Sequence, residues 1–189
     1  MRVIGGTARS LRLQCHKGLH VRPTTDIIRE TLFNMLGPRV VGAAFCDLYA
    51  GCGSVGIEAL SRGAERCVFV EADHGCASAI EANLQHTRLA ERAVVVAGRL
   101  PQAWEGVSAE HGPFDIAFID PPYGHEALPE LAERLVLGGE GMARGSLVII
   151  QRSEHDAPGR LPDPDRTKSF GESVVDLFEV AGGGTADHD

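Results

Sequence analysis

Ala44-Phe45-Cys46-Asp47-Leu48-Tyr49-Ala50-Gly51-Cys52-Gly53-Ser54-Val55-Gly56 is an apolar run interrupted by one acid and closed by three glycines. A run of this length ending in glycine reads as a buried strand, and the glycines read as a tight turn opening a helix that continues through about Arg62. Glycine allows the backbone to come close to a ligand, and the helix N-terminus behind it suits a carboxylate or a phosphate. A second strand, Cys67-Val68-Phe69-Val70-Glu71, then ends in an acid that can bind two ribose hydroxyls. Strand, glycine turn, helix and strand in that order open a doubly wound parallel α/β sheet.

The same alternation continues downstream. The pattern predicts a helix from about Gly75 to Thr87, strands over Ala93 to Ala97 and Phe114 to Ile119, a helix from about Glu126 to Leu137, and a strand over Ser146 to Gln151. Trp104 is expected to pack in a short helix after the third strand, and two last strands are expected near Thr167 to Phe170 and Val174 to Val180. Upstream, Met1 to Ile4 and Leu11 to Gln14 are short apolar stretches set for a hairpin, and a helix starts near Thr25 and closes at Gly37-Pro38. Residues 1–40 thus read as a basic extension, 41–181 as the principal domain, and 182–189, with Gly182-Gly183-Gly184, as a disordered tail.

The chemistry is concentrated where one of these strands ends. Phe114-Asp115-Ile116-Ala117-Phe118-Ile119 delivers Asp120-Pro121-Pro122-Tyr123 at its C-terminal edge, where open α/β sheets bind ligands. Two prolines stiffen the loop, so Asp120 and the Pro121 carbonyl can present two acceptors to the two N–H bonds of an exocyclic amine. Tyr123 can stack on the attached ring. An ordinary Asp-Pro turn is the plain alternative. Asp120, Pro121, Pro122 and Tyr123 are the candidate catalytic residues.

The glycine pattern and the acid eighteen residues after Gly53 also match a dinucleotide fingerprint. Asp47, four residues before the first glycine, changes that reading, because an acid there can serve the amino group of an amino-acid moiety. Together with Asp120-Pro121-Pro122-Tyr123 it points to S-adenosylmethionine over a nicotinamide cofactor. The candidate cofactor residues are Asp47, Tyr49, Gly51, Gly53, Glu71, Ala72, Arg99 and Leu100. Tyr49 lines that pocket or simply packs.

The 189 residues carry a net charge of −8, which by itself argues against a polyanionic partner. Its distribution does not. Residues 1–40 hold Arg2, Arg9, Arg12, Lys17, Arg22, Arg29 and Arg39 against Asp26 and Glu30, a balance of +5 that leaves −13 on the rest. A basic end on an acidic body fits a one-sided anionic partner. Arg2, Arg9, Arg22, Thr24 and Arg29 are therefore candidate RNA contacts, with Tyr123; a solvated arginine-rich surface is the alternative. Thr24 and Thr25 both suit a helix N-cap.

No stretch reaches eighteen apolar residues and the N-terminus has no hydrophobic signal region, so a soluble, cytoplasmic protein is expected. Cys15, Cys46, Cys52, Cys67 and Cys76 are odd in number and lack Cys-x-x-Cys spacing, so neither a disulfide nor a zinc site is expected. The histidines show no metal spacing, and His125 reads as an exposed loop residue.

Several blocks together resemble the bacterial RsmD-type 16S rRNA guanine-N2 methyltransferases: Arg2-Val3-Ile4-Gly5-Gly6, Arg22-Pro23-Thr24-Thr25-Asp26 with Arg29-Glu30-Thr31-Leu32-Phe33-Asn34, Asp47 to Gly53 with Gly56, Glu58-Ala59-Leu60-Ser61-Arg62, and Asp120-Pro121-Pro122-Tyr123. The resemblance covers about residues 1–180. It implies a Rossmann-like methyltransferase sheet of seven strands, mostly parallel with an antiparallel last pair, and a small N-terminal hairpin and helix. It also implies transfer of one methyl from S-adenosylmethionine to a guanine N2 of 16S rRNA, in the small ribosomal subunit or its assembly intermediate. Cys52 stands where the family usually has serine, and Arg99 where many methyltransferases carry an acid or amide facing the adenine.

Rival functions remain at the level of sequence. A DNA adenine or cytosine amino-methyltransferase shares the Asp-Pro-Pro-Tyr logic, but sixty-six residues between Gly53 and Asp120 and no large later insert leave no target-recognition domain. Protein glutamine N5-methylation usually has Asn at the first position of the loop. Nothing in the chain demands more than a monomer, and no metal is needed for the chemistry.

Overall fold

A computed structural model describes residues 1–15, 25–122, 128–156 and 159–180. Among the described residues seven strands form one sheet: β1 (Ala44–Leu48), β2 (Arg66–Glu71), β3 (Ala93–Ala97), β4 (Phe114–Ile119), β5 (Met142–Ser153), β6 (Arg166–Phe170) and β7 (Ser173–Glu179). Their order across the sheet is β3-β2-β1-β4-β5-β7-β6, with β1 to β5 parallel and β7 antiparallel to both β5 and β6. The chain runs outward from β1 to β3 and then crosses back to β4 on the other side of β1. The strand order therefore reverses between β1 and β4, which puts the ligand crevice at their carboxyl ends.

The α-helices among the described residues cover the sheet: α1 (Asp26–Leu36), α2 (Ser54–Ser61), α3 (His74–Thr87), α4 (Trp104–His111) and α5 (Leu128–Val136). Alternate residues of each strand serve opposite faces. Phe45, Phe69, Phe118 and Ile149 pack beneath α1, α2 and α3, while Cys46, Val68, Ile119 and Ile150 pack against α4 and α5. Trp104 is fully buried in the second layer, its ring 5.9 Å from that of Phe114.

Local signals account for most boundaries. Thr25 caps α1, its hydroxyl accepting the Ile28 N–H at 3.3 Å, so of the two candidate threonines the cap is Thr25. Asp73 caps α3 in the same way through Cys76 N–H at 2.8 Å. The fifth strand begins four residues before its expected start at Ser146. Its pairing with β4 jumps from Phe114–Met142 to Ile116–Leu147, and only beyond the bulge does the regular apolar run begin.

The N-terminal stretches do pair. Arg2 and Arg12 form an antiparallel bridge, flanked by Val3 N–H to Leu11 O at 3.0 Å and Leu13 N–H to Met1 O at 3.1 Å. Val3, Ala8 and Leu13 of this hairpin and Ile28, Leu32, Phe33 and Leu36 of α1 lie in the same apolar layer as α2 and α3, so residues of the 1–40 segment share the core of the sheet. Cys15 and Cys52 are joined as a disulfide, with Cα atoms 5.1 Å apart, contrary to the sequence expectation. Residue count and spacing carry no information about which segments fold back on each other, and here the hairpin ends at the glycine turn. Cys46, Cys67 and Cys76 are free and buried.

Among the described residues no helix is long and apolar enough to cross a membrane. Arg22, Thr24, Tyr123, His125 and the tail 182–189 lie outside the described residues.

Candidate active site at the strand ends

The parallel register brings three chemistry-bearing residues to one edge. Leu48 of β1 is level with Val70 of β2 and with Ile119 of β4, so Tyr49, Glu71 and Asp120 follow side by side. Backbone bonds continue the alignment past the strands: Ala50 N–H reaches Val70 O at 3.1 Å, Asp120 N–H reaches Leu48 O at 3.3 Å, and Gly98 N–H reaches Glu71 O at 3.0 Å.

The turn between β1 and α2 uses its glycines for distinct reasons. Gly51 and Gly53 have φ of 56° and 75°, a left-handed conformation that other residues adopt at a cost, and Gly53 N–H closes the turn on Ala50 O at 2.7 Å. Gly56 serves packing instead, since a Cβ there would run into the Phe69 ring and lie 2.7 Å from the Cys67 sulfur. Tyr49, at the entry to the turn, also has a positive φ of 62°. Its half-buried side chain has its hydroxyl pKa pushed up to about 12, first by burial and then by the Glu130 carboxylate.

Glu71 is oriented by the loops around it. Its Oε2 accepts the Gly51 N–H at 2.7 Å and its Oε1 the Asp73 N–H at 2.8 Å, which fixes the carboxylate at the mouth of the turn. Asp47 lies deeper than its expected role suggests. Only 2% exposed, it accepts the Gly56 N–H at 2.8 Å from beneath α2. Burial holds its pKa well above the ordinary carboxylate range, the Gly56 bond opposes that, and the charges of Asp120 and Glu71 add to it.

Asp120 is half-buried, Pro121 buried and Pro122 exposed at the end of β4. On the far side of Glu71, Ala72 and Arg99 are exposed, while Leu100 is buried against α4 and α5. The predicted cofactor residues therefore lie at or just beyond the carboxyl ends of β1, β2 and β3, except Asp47, which is buried within β1 beneath the turn.

The basic residues separate. Arg2 and Arg9 are exposed on the hairpin, as the RNA reading requires. Arg29 is not: its side chain is fully buried, and its Nη2 donates to Arg2 O and to Asp26 Oδ1, both at 2.7 Å. The expectation that Arg29 faces phosphate or base is corrected, because its turn of α1 faces the core and its guanidinium holds the hairpin. Glu58, Ser61 and Asn83, for which the sequence alone suggests no role, are each buried and each bonded to the hairpin. The signal was available in part, since Glu58 is an acid inside an otherwise apolar helix segment. A concavity lined by Arg39, Asp115 and Ser146 lies instead where β1, β4 and β5 begin, away from all of these motifs.

The model of the family described as conserved hypothetical protein 95 matches residues 1–179. The chain is 31% identical over 192 residues to ribosomal RNA small subunit methyltransferase D of Escherichia coli K12, covering all of this chain and 94% of that protein. Among solved structures, a hypothetical protein of Thermus thermophilus superposes with a TM-score of 0.81 at 31% identity, over 95% of this chain and 99% of that one. An RNA methyltransferase of Salinibacter ruber, solved with S-adenosylhomocysteine, shares the fold with a TM-score of 0.65 at 21% identity, over 88% of this chain and 99% of that one.

Proposed function

The chain belongs to the conserved hypothetical protein 95 family and is a methyltransferase that uses S-adenosylmethionine, and from that footing we propose that it methylates the exocyclic N2 of one guanine in 16S rRNA. The substrate is the small ribosomal subunit or its assembly intermediate, met by a monomer in the cytoplasm. One observation carries this reading: the stiff Asp120-Pro121-Pro122 segment emerges directly beside the end of β1 and its glycine turn, with Glu71 on the other side of β1, at the point where the strand order reverses.

The residues present fit the cofactor. Left-handed Gly51 and Gly53 open the N-terminus of α2, and the Glu71 carboxylate is held ready at the mouth of the turn. In this reading Glu71 takes the ribose hydroxyls, Gly51 and Gly53 take the amino-acid part with Asp47 beneath them, and Ala72, Arg99 and Leu100 border the adenine with Tyr49 across the crevice. S-adenosylmethionine supplies a methyl group on a positively charged sulfur. Glu71 and Asp120 flank that place with negative potential, which suits a cation.

Asp120 and the Pro121 carbonyl accept the two N2 hydrogens of a guanine taken out of its stack, and Tyr123 stacks on its ring. Held this way, the nitrogen is aimed and its electron density raised, so catalysis rests on positioning and electrostatics. As the N–CH3 bond forms and the S–CH3 bond breaks, one N2 proton leaves to Asp120 or to water. Arg2, Arg9, Arg22 and Thr24 meet the RNA backbone around the target.

Transfer of labelled methyl to small subunits, naked 16S rRNA and duplex DNA lacking the modification tests this reading, followed by nucleoside analysis. Label recovered as N2-methylguanosine from subunits or rRNA is the expected result. Label in DNA, or none in any RNA despite cofactor binding, refutes it.

A further inference from the structure

Glu58 lies outside the crevice, on α2, and is completely buried. Its two oxygens gather three donors: Ile4 N–H at 2.7 Å, Gly5 N–H at 2.8 Å and Arg62 Nε at 2.6 Å. At the end of the same helix Ser61 Oγ accepts the Ala8 N–H at 2.9 Å and donates to Gly5 O at 2.6 Å, while Ser61 O accepts the Thr7 N–H at 2.8 Å. Gly5 and Gly6 are close-packed here. A Cβ on Gly5 would lie 2.8 Å from Arg62 Cζ, and one on Gly6 would overlap the Ser61 carbonyl oxygen. The Arg62 guanidinium in turn lies over the Phe33 ring of α1 at 5.0 Å.

These residues explain blocks of sequence that the crevice leaves unused. Arg2 to Gly6, Arg29 and Phe33, and Glu58 to Arg62 form one docking device. A buried carboxylate is costly unless it is paired and fully hydrogen-bonded, and α2 has no need of one for its own seating, since Val55, Ile57, Ala59 and Leu60 already bury it in the core. What Glu58 adds is attachment of the hairpin. The far end of that hairpin reaches the crevice: Asn83 Oδ1 accepts Gln14 N–H at 2.8 Å, and its Nδ2 donates to Gln14 O at 2.8 Å and to Cys52 O at 3.1 Å.

We propose that Glu58 is a positioning residue for methyl transfer to rRNA: it fixes the hairpin on α2, and thereby sets where exposed Arg2 and Arg9 meet the RNA relative to Asp120. This rests on the reading that the hairpin contacts rRNA. Glu58 touches neither cofactor nor target base. Its removal acts on RNA engagement, because the glycine turn keeps ties that do not pass through Glu58: Glu71 to Gly51, Asp47 to Gly56 and Asn83 to Cys52.

The test is Glu58→Gln in the full chain. The expected result is a KM for rRNA or subunits raised about tenfold or more, with kcat and S-adenosylhomocysteine affinity within about twofold of wild type. Faster amide exchange over residues 2–13 should accompany it. Ser61→Ala, which removes two neutral hydrogen bonds and no buried charge, should raise the same KM by a smaller factor, and it carries the test should Glu58→Gln fail to fold. An unchanged KM beside an active wild type overturns the proposal alone, as does a fall in kcat or cofactor affinity as large as the rise in KM. A wild-type chain that methylates no rRNA overturns the underlying reading, and the proposal with it.

Discussion

Glu71 and Gly51 are tied to each other across two loops: the carboxylate ending β2 accepts the amide of the first glycine after β1 at 2.7 Å, and its second oxygen is held by Asp73. The acid at the crevice is thus oriented by backbone before any ligand arrives, which lowers the cost of ordering it on binding.

Glu71→Ala should therefore weaken S-adenosylhomocysteine binding more than any other change at the crevice rim. Loss of hydrogen bonds to a charged group costs about 1.5–3 kcal/mol, or roughly 10- to 150-fold in Kd, as calorimetric titration would read. Affinity within about twofold of wild type would remove Glu71 from the ribose role.

Asp120→Ala should separate chemistry from binding. Without the acceptor that aims the amine, kcat on rRNA should fall by roughly 10²- to 10⁴-fold, with S-adenosylhomocysteine affinity nearly unchanged. Single-turnover methyl transfer decides it, since an unaltered rate would leave Asp120 without a catalytic role.

Asp47 gives the cofactor-free protein a pH signature. Burial raises its pKa, so the folded state holds a proton that the unfolded chain releases near pH 4. This contribution to stability is fully present below the unfolded pKa and is lost as pH rises through the folded one. Asp47→Asn, which keeps an acceptor for Gly56 N–H, should show a flatter fall of Tm with rising pH above about 4. Superimposable Tm profiles for the two proteins would contradict the buried, proton-holding state.

Arg29 and Arg9 should part company in a salt titration. Arg29→Ala should lower Tm by removing the buried tie between α1 and the hairpin. Arg9→Ala should leave Tm in place and reduce the slope of log K for RNA against log salt by about 0.7–0.9. A full-sized slope for Arg9→Ala would take Arg9 out of the RNA contact set.

The sheet and the strand ends that it gathers were legible in the sequence because both rest on local signals. A strand that ends in a glycine turn, a strand that ends in Glu71 and a strand that ends in Asp120 announce themselves by composition, and parallel pairing then leaves their carboxyl ends side by side. The helix from Thr25 and the hairpin pairing of Arg2 with Arg12 follow from equally short-range signals. Whether a polar residue faces solvent or core was not legible. Arg29 looks like a surface cation and Asp47 like a rim acid until α1 and α2 are laid on the sheet, whereupon one becomes a buried tie to the hairpin and the other a buried acceptor for the Gly56 N–H of α2. Cys15 and Cys52, Glu58 and Ile4, and Asn83 and Gln14 are paired by the same folding-back of the hairpin across α2, α3 and the glycine turn. Such contacts join residues 37 or more positions apart, and only three-dimensional packing selects among the partners that chemistry alone would allow.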